Sequence, residues 1–193
     1  MKQILSDYLL NIDSLLNQIP ETLSNQLFQG NAEKKYKTKE YILSANEICK
    51  YIYFIKTGSA WKFYVNNGKK VATEFVFAED IILSFPSYIK QTPSNEYIQV
   101  LEESIVSKIE FGKFEKLKVE SKILTELDNL LLEYQILKLE NRLYSIQFKS
   151  SKERFDWVNL MEPKLVKKVP SKYVASYLGI SLETLVRLKK RLI

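Results

Sequence analysis

Residues 51–77 read YIYFIKTGSAWKFYVNNGKKVATEFVF. YIYFIKTG is a strand that runs into a turn at Gly58. Beyond it, Trp61, Phe63 and Val65 alternate with polar or small residues. A period of two is the mark of a strand with one buried face. Asn67-Gly68 follows, and both residues tolerate the positive φ of a tight hairpin turn. Val71, Thr73, Phe75 and Phe77 resume the alternation on the return arm.

Working outward, EYIQVLEESIVSKIEF at 96–111 supplies one or two more strands. Short strands with turn signals predict an antiparallel roll or barrel over residues 32–111. Before it, Ile4, Leu5, Tyr8, Leu9, Ile12, Leu15, Leu16 and Ile19 recur at helical spacing, which predicts an amphipathic helix ended by Pro20. A second helix is expected from Glu21 to Phe28. After about Phe114 the helical period returns. Ile123, Leu127, Leu130, Tyr134, Leu137, Asn141, Tyr144 and Phe148 follow a 4,3 spacing, the seam of a helix paired with a second helix. The same spacing also suits a helix packed on its own roll. Asn141 on the seam would fix register. A break near Lys149–Ser151 starts another helix, with Ser151 as a simple N-cap. MEPKLVKKVP at 161–170 reads as a connector. The fold class is α+β, divided as 1–113 (helices plus roll), 114–148 (dimerisation helix) and 149–193 (terminal helices).

The terminal stretch, VPSKYVASYLGISLETLVRLKKRLI at 169–193, predicts two helices around a Gly-Ile-Ser break. Ser171 is expected to cap the first, Gly179 to permit the sharp turn, and Ser181 to cap the second. Val174, Ala175, Leu178, Leu185, Leu188 and Leu192 form the inner faces. Glu183, Thr184, Arg187, Lys190 and Arg191 then lie outward, with Ser171 and Lys172 at the start of the first helix. Arg reads guanine O6 and N7 together, Glu accepts from cytosine N4, and Thr reaches a phosphate or a thymine methyl. A surface helix with an i,i+4 Glu183–Arg187 ion pair uses the same residues.

Charge supports the first reading. Residues 145–193 carry 11 Lys/Arg against 4 Asp/Glu, while residues 1–144 carry 18 against 19. The excess of the whole chain, +6, therefore sits in its last quarter, and an anionic partner such as nucleic acid or a membrane surface would meet it there. A solvated basic tail is the alternative. The chain has no His and one Cys, Cys49. That excludes a Ser-His or Cys-His nucleophile pair, imidazole metal sites, an iron–sulfur cluster and an internal disulfide. No cofactor and no enzymatic activity are expected. No apolar run is long enough for a signal peptide or a membrane span, so a cytoplasmic location is expected.

The order of helices, hairpin, long helix and KYVASYLGIS-ET--R, together with PSNEYIQVLEES at 93–104, resembles the Crp/Fnr family of bacterial transcription regulators, in its short Bacteroidetes-type form. The resemblance implies a cyclic-nucleotide-binding-like β-roll, a dimer seam through Leu127, Leu130, Tyr134, Leu137 and Asn141, and a helix-turn-helix. It implies a homodimer on palindromic double-stranded DNA, with RNA polymerase as a further partner for an activator. Glu183 and Arg187 become the base-reading pair, with Ser181 and Thr184 near the backbone. Leu182 stands where the family has Arg, and no wing follows the second helix. Family members that take cyclic AMP use a Gly-Glu pair and an Arg on the phosphate. Here FAEDIILSFPSYIKQTPSNEYIQV lacks the Gly, and no Arg precedes Arg142. Cyclic AMP is therefore not expected. Glu79, Asp80, Ser84, Ser94 and Asn95 are the polar candidates for an unassigned small-molecule effector, or else a solvated loop. The competing function is a sensor or interaction protein whose basic helices bind a protein.

Overall fold

The structure, a computed structural model, describes residues 2–30 and 33–191. Two helices, α1 (Lys2–Gln18) and α2 (Glu21–Phe28), lead into eight strands. These are β1 (Lys34–Tyr36), β2 (Tyr41–Leu43), β3 (Tyr51–Thr57), β4 (Ser59–Asn66), β5 (Lys69–Phe77), β6 (Ile81–Ile82), β7 (Tyr97–Val100) and β8 (Ser104–Glu110), with the short helix α3 (Phe85–Lys90) between β6 and β7. They form two four-stranded sheets, ordered β1-β8-β3-β6 and β2-β7-β4-β5, and every pairing is antiparallel. The roll expected from the period-two pattern is present. Ala32, where it was expected to begin, lies outside the described residues.

The turns form where the backbone can take them. Asn67 and Gly68 sit at φ 49° and 73° in the β4–β5 hairpin. Gly58 joins β3 to β4 at φ 90°, and a Cβ there would collide with the Ser104 side chain and lie 2.7 Å from the Glu103 carbonyl oxygen. No other residue fits that corner.

Between the sheets Leu43, Cys49, Ile55, Ala60, Ile82, Ile98 and Val100 fill the roll. A second core lies outside it. Trp61, Phe63, Ala72 and Phe75 on the far face of β4 and β5 pack with Phe155, Val158, Leu165, Val174, Leu178 and Leu185 of the terminal helices. Strand β4 is therefore buried on both faces from Ser59 to Phe63. Val65 and Val71, expected to share the inner face, are exposed beyond the bulge at Lys62/Phe63.

The helical half begins earlier than expected and is interrupted. Helix α4 (Phe111–Glu120) ends at Ser121, which caps α5 (Lys122–Phe148) through Leu124 N–H. Lys118 bridges Glu115 at 2.7 Å and Asp128 at 2.8 Å across the break. Helix α6 (Ser151–Met161) is capped by Ser150, not by Ser151. That shift of one residue brings Glu153 into register, and a full capping box forms. The expected connector contains a six-residue helix, α7 (Pro163–Lys168). Helices α8 (Ser171–Leu178) and α9 (Leu182–Lys189) close the described chain. No helix among the described residues is long and apolar enough to cross a membrane.

Helix α5 has two apolar faces. Leu127 is buried on its own chain, and Leu130, Tyr134, Leu137 and Asn141 are half-buried. Helix α1 packs along α5, with Tyr8 Oη donating to Glu133 at 2.9 Å. The expected seam is therefore partly covered by its own chain. About half a turn around the helix, at ~100° per residue, Leu132, Ile136, Leu139, Leu143 and Ile146 repeat the 4,3 spacing in solvent. Their exposure runs from 37% at Leu132 to 65% at Leu139.

Candidate nucleic-acid interface

Helices α8 and α9 meet at Gly179, whose φ of 63° reverses the chain. Its N–H returns to the Ser176 carbonyl at 3.2 Å and that of Ile180 to Ala175 at 3.0 Å, so the end of α8 is satisfied as it turns. Val174, Ala175, Leu178, Leu185 and Leu188 are all buried, as their spacing predicts. Leu192 lies outside the described residues. Ser181 caps α9, accepting from Thr184 N–H at 3.2 Å. Ser171 does not cap α8. Pro170 holds that position without a side-chain bond, because the helix starts one residue earlier than its Ser suggests. The Ser171 hydroxyl instead accepts from Lys189 Nζ at 3.1 Å, and Lys189 also reaches the Val166 carbonyl at 2.9 Å. Lys189 thus ties α9 to the preceding turns and is half-buried. Burial lowers its pKa.

Glu183, Arg187, Lys190 and Arg191 are exposed, as are Ser181 and Lys172, and Thr184 is half-buried. No ion pair joins Glu183 to Arg187 among the described residues. Backbone N–H and the Ser181 hydroxyl hold the Glu183 carboxyl below its ordinary range. The face therefore presents a charged acceptor and a free guanidinium one turn apart. Beside them, and not singled out by the charge pattern, stand Leu182 and Val186, at 43% and 41% exposure.

The α8–α9 unit is joined to the roll. Ser176 accepts from Ala72 N–H at 3.0 Å and donates to the Lys70 carbonyl at 3.2 Å, pairing the open edge of β5. Arg142 of α5 donates to the carbonyls of Thr73, Ala72 (3.0 Å) and Tyr177 (3.4 Å), and stacks over the Tyr177 ring at 4.4 Å. One side chain thus links the long helix, the hairpin and α8.

The five polar candidates for an effector do not converge. Ser84 and Ser94 are buried with their hydroxyls 3.0 Å apart, and Ser94 accepts from Glu96 N–H at 2.9 Å. Glu79, Asp80 and Asn95 are exposed. Glu79 occupies a turn at φ 78°, and Asp80 accepts from Phe77 N–H at 2.8 Å. The charges inside the roll are others. Lys62 of β4 is buried, 3.1 Å from Glu74 and 3.8 Å from Glu96, and donates to the Leu83 carbonyl at 3.0 Å. Glu74 also meets Lys138 of α5 at 3.4 Å. Burial works against the Glu74 charge, but Lys62 and Lys138 outweigh it and hold its carboxyl below the ordinary range. Alternation gave no sign of this. In a strand whose Trp61 and Phe63 mark the buried face, Lys62 reads as solvent-facing.

Residues 33–121 match the family model described as the cyclic nucleotide-binding domain. No curated protein matches the sequence. Among solved structures, FixK2 from Bradyrhizobium japonicum superposes with TM-score 0.71 at 18% identity, covering 84% of each chain. CLP, the c-di-GMP-responsive global regulator of Xanthomonas campestris, gives 0.70 at 11% identity, over 90% of this chain and 91% of its own. A structure described as a Crp/Fnr-family transcriptional regulator from Eubacterium rectale gives 0.70 at 16% identity, over 94% and 87%. Residues 33–121 thus match the cyclic nucleotide-binding domain, in a chain that shares its fold, over 84–94% of its length, with these three solved structures.

Proposed function

We propose that this protein is a sequence-specific, DNA-binding transcription regulator that works as a homodimer. The observation that carries the reading is the outer face of α9, where Glu183 and Arg187 are exposed, adjacent and unpaired. Such a helix fits a major groove. Arg187 takes a guanine and Glu183 a cytosine, while Ser181, Thr184, Lys172, Lys190 and Arg191 meet the backbone. The functional division is 1–113 for sensing, 114–148 for dimerisation and 149–193 for DNA.

The dimer is assigned to the solvent-facing stripe of α5, Leu132–Ile136–Leu139–Leu143–Ile146, rather than to the face that α1 partly covers. A two-fold axis there presents two α9 helices to half-sites about one helical turn apart. Cyclic AMP is not the signal in this reading. Lys62, the cation that reaches the roll interior, is already held by Glu74 and Glu96, and a lysine lacks the bidentate fork that grips a cyclic phosphate. For an activator, RNA polymerase is the further partner.

The test is electrophoretic mobility shift on palindromes selected from random DNA, with wild type and Arg187→Ala. Loss of about 1–3 kcal/mol, and relaxed preference at one base pair per half-site, is expected. Arg187→Ala binding the same palindromes with the same strength and preference would overturn the assignment. Binding that ignores sequence would favour a protein partner instead.

A further inference from the structure

Where α1, α5, α6 and α8 meet, the structure forms a partly open cavity of about 140 Å³. It lies apart from the roll interior, between the long helix and the terminal helices. Lys138 and Arg142 of α5 and Arg154 of α6 line it, with Glu162 as its carboxylate and the Tyr134 and Tyr177 rings beside them.

The charges there are not matched. Lys138 is answered by Glu74. Arg142 has carbonyl oxygens and an aromatic ring as partners, and no carboxylate within ion-pair distance among the described residues. Arg154 likewise has no ion pair among them, and its Nε is buried without a hydrogen-bond partner. Arg142 and Arg154 are both half-buried, and a partly desolvated guanidinium without a counter-charge carries a cost. Two arginines lining one cavity offer the planar, paired donors that proteins use for phosphate and carboxylate groups. Burial raises the pKa of Glu162, and no ion pair joins it to either arginine among the described residues.

We propose that this junction cavity is an effector site for a small metabolite carrying a phosphate or carboxylate group, held by Arg142 and Arg154. Its position gives binding a consequence. Arg142, together with Ser176, ties β5 to α8, so an anion competes with the Thr73, Ala72 and Tyr177 carbonyls for its N–H groups. The ligand thereby alters the link between the roll and the terminal helices. That effect on DNA rests on the function proposed above, but the binding itself does not.

The experiment is isothermal titration calorimetry on the full chain without DNA. Glycerol 3-phosphate and succinate are the two anionic probes, and glycerol at matched ionic strength is the neutral control. The expected result is saturable binding of at least one anion and none of glycerol. Phosphate and carboxylate arms separate the two chemistries. Arg154→Gln, which keeps a polar side chain of similar length, is expected to weaken the bound anion about tenfold without lowering the melting temperature of the free protein. Arg154→Lys is expected to recover part of the loss. Absence of binding by both anions, or equal binding by Arg154→Gln and wild type, overturns the proposal.

Discussion

Trp61 of the roll stacks on Tyr173 of the first terminal helix, their ring centroids 4.0 Å apart. Trp61 also stacks with Phe63 at 4.2 Å, and its Nε1 donates to Gln99 at 3.2 Å. A residue of the roll is therefore at the centre of the core that it shares with α8 and α9. Replacing it by Ala is expected to cost about 3–5 kcal/mol. Because the core is shared, scanning calorimetry is expected to show one transition moving down as a whole. A roll that melts unchanged while only the terminal helices loosen would contradict the shared core.

Leu182 and Val186 flank the Glu183–Arg187 pair with exposed apolar surface. Their match in a groove is the thymine methyl group. Replacing thymine by deoxyuridine at single positions of a selected half-site is expected to weaken binding at one or two of them. Each methyl is worth about 0.8 kcal/mol, roughly fourfold. Val186→Ala is expected to remove the sensitivity at its position. Insensitivity at every thymine would leave these side chains without a role in reading.

Leu139 is the most exposed member of the outer α5 stripe. A charge there costs the single chain little but would be buried at a two-fold interface. Leu139→Arg is expected to turn a sedimenting dimer into a monomer with unchanged helical content. A variant that stays dimeric would move the interface elsewhere, and a monomeric wild type would remove the dimer altogether.

Glu74 is held ionised between Lys62 and Lys138. Its folded pKa is depressed below the unfolded value. Its contribution to stability is thus complete above the ordinary glutamate range and is lost as pH falls through the depressed folded value. Glu74→Gln leaves two cations without a shared partner. It is expected to cost a few kcal/mol at pH 7, toward the lower end of about 3–5 because Lys138 is partly exposed, and to flatten the acid limb. Urea unfolding between pH 3 and pH 7 measures both effects. An acid limb equally steep in both proteins would mean that other carboxylates govern it.

What could be read from the sequence was whatever depends on local period and turn chemistry. The β4–β5 hairpin, the Gly58 corner and the Gly179 reversal were legible because few residues tolerate those backbones. The outward face of α9 was legible because its inner leucines are regularly spaced. What escaped depends on which neighbour covers a face. Helix α5 repeats the 4,3 spacing twice, once through Leu130 and Tyr134 and once through Ile136 and Leu139, and period alone does not say which stripe its own chain covers. Lys62 escaped for the same reason, since alternation assumes one wet face and β4 has none between Ser59 and Phe63. Arg142 and Arg154 carry no local signal at all. Their interest lies in partners that are far away in sequence or missing.

Ser176 sits against the edge of β5 like a missing strand, and the rings of Trp61, Phe63 and Phe75 are covered by the terminal helices. A polypeptide cut after Phe148 would uncover that edge and those rings together, and bare edges recruit strands from other molecules. This roll is therefore not an interchangeable cassette. Any recombination that fitted it with a different terminal module would have to bring a new cover for the same surface, or the chimera would precipitate.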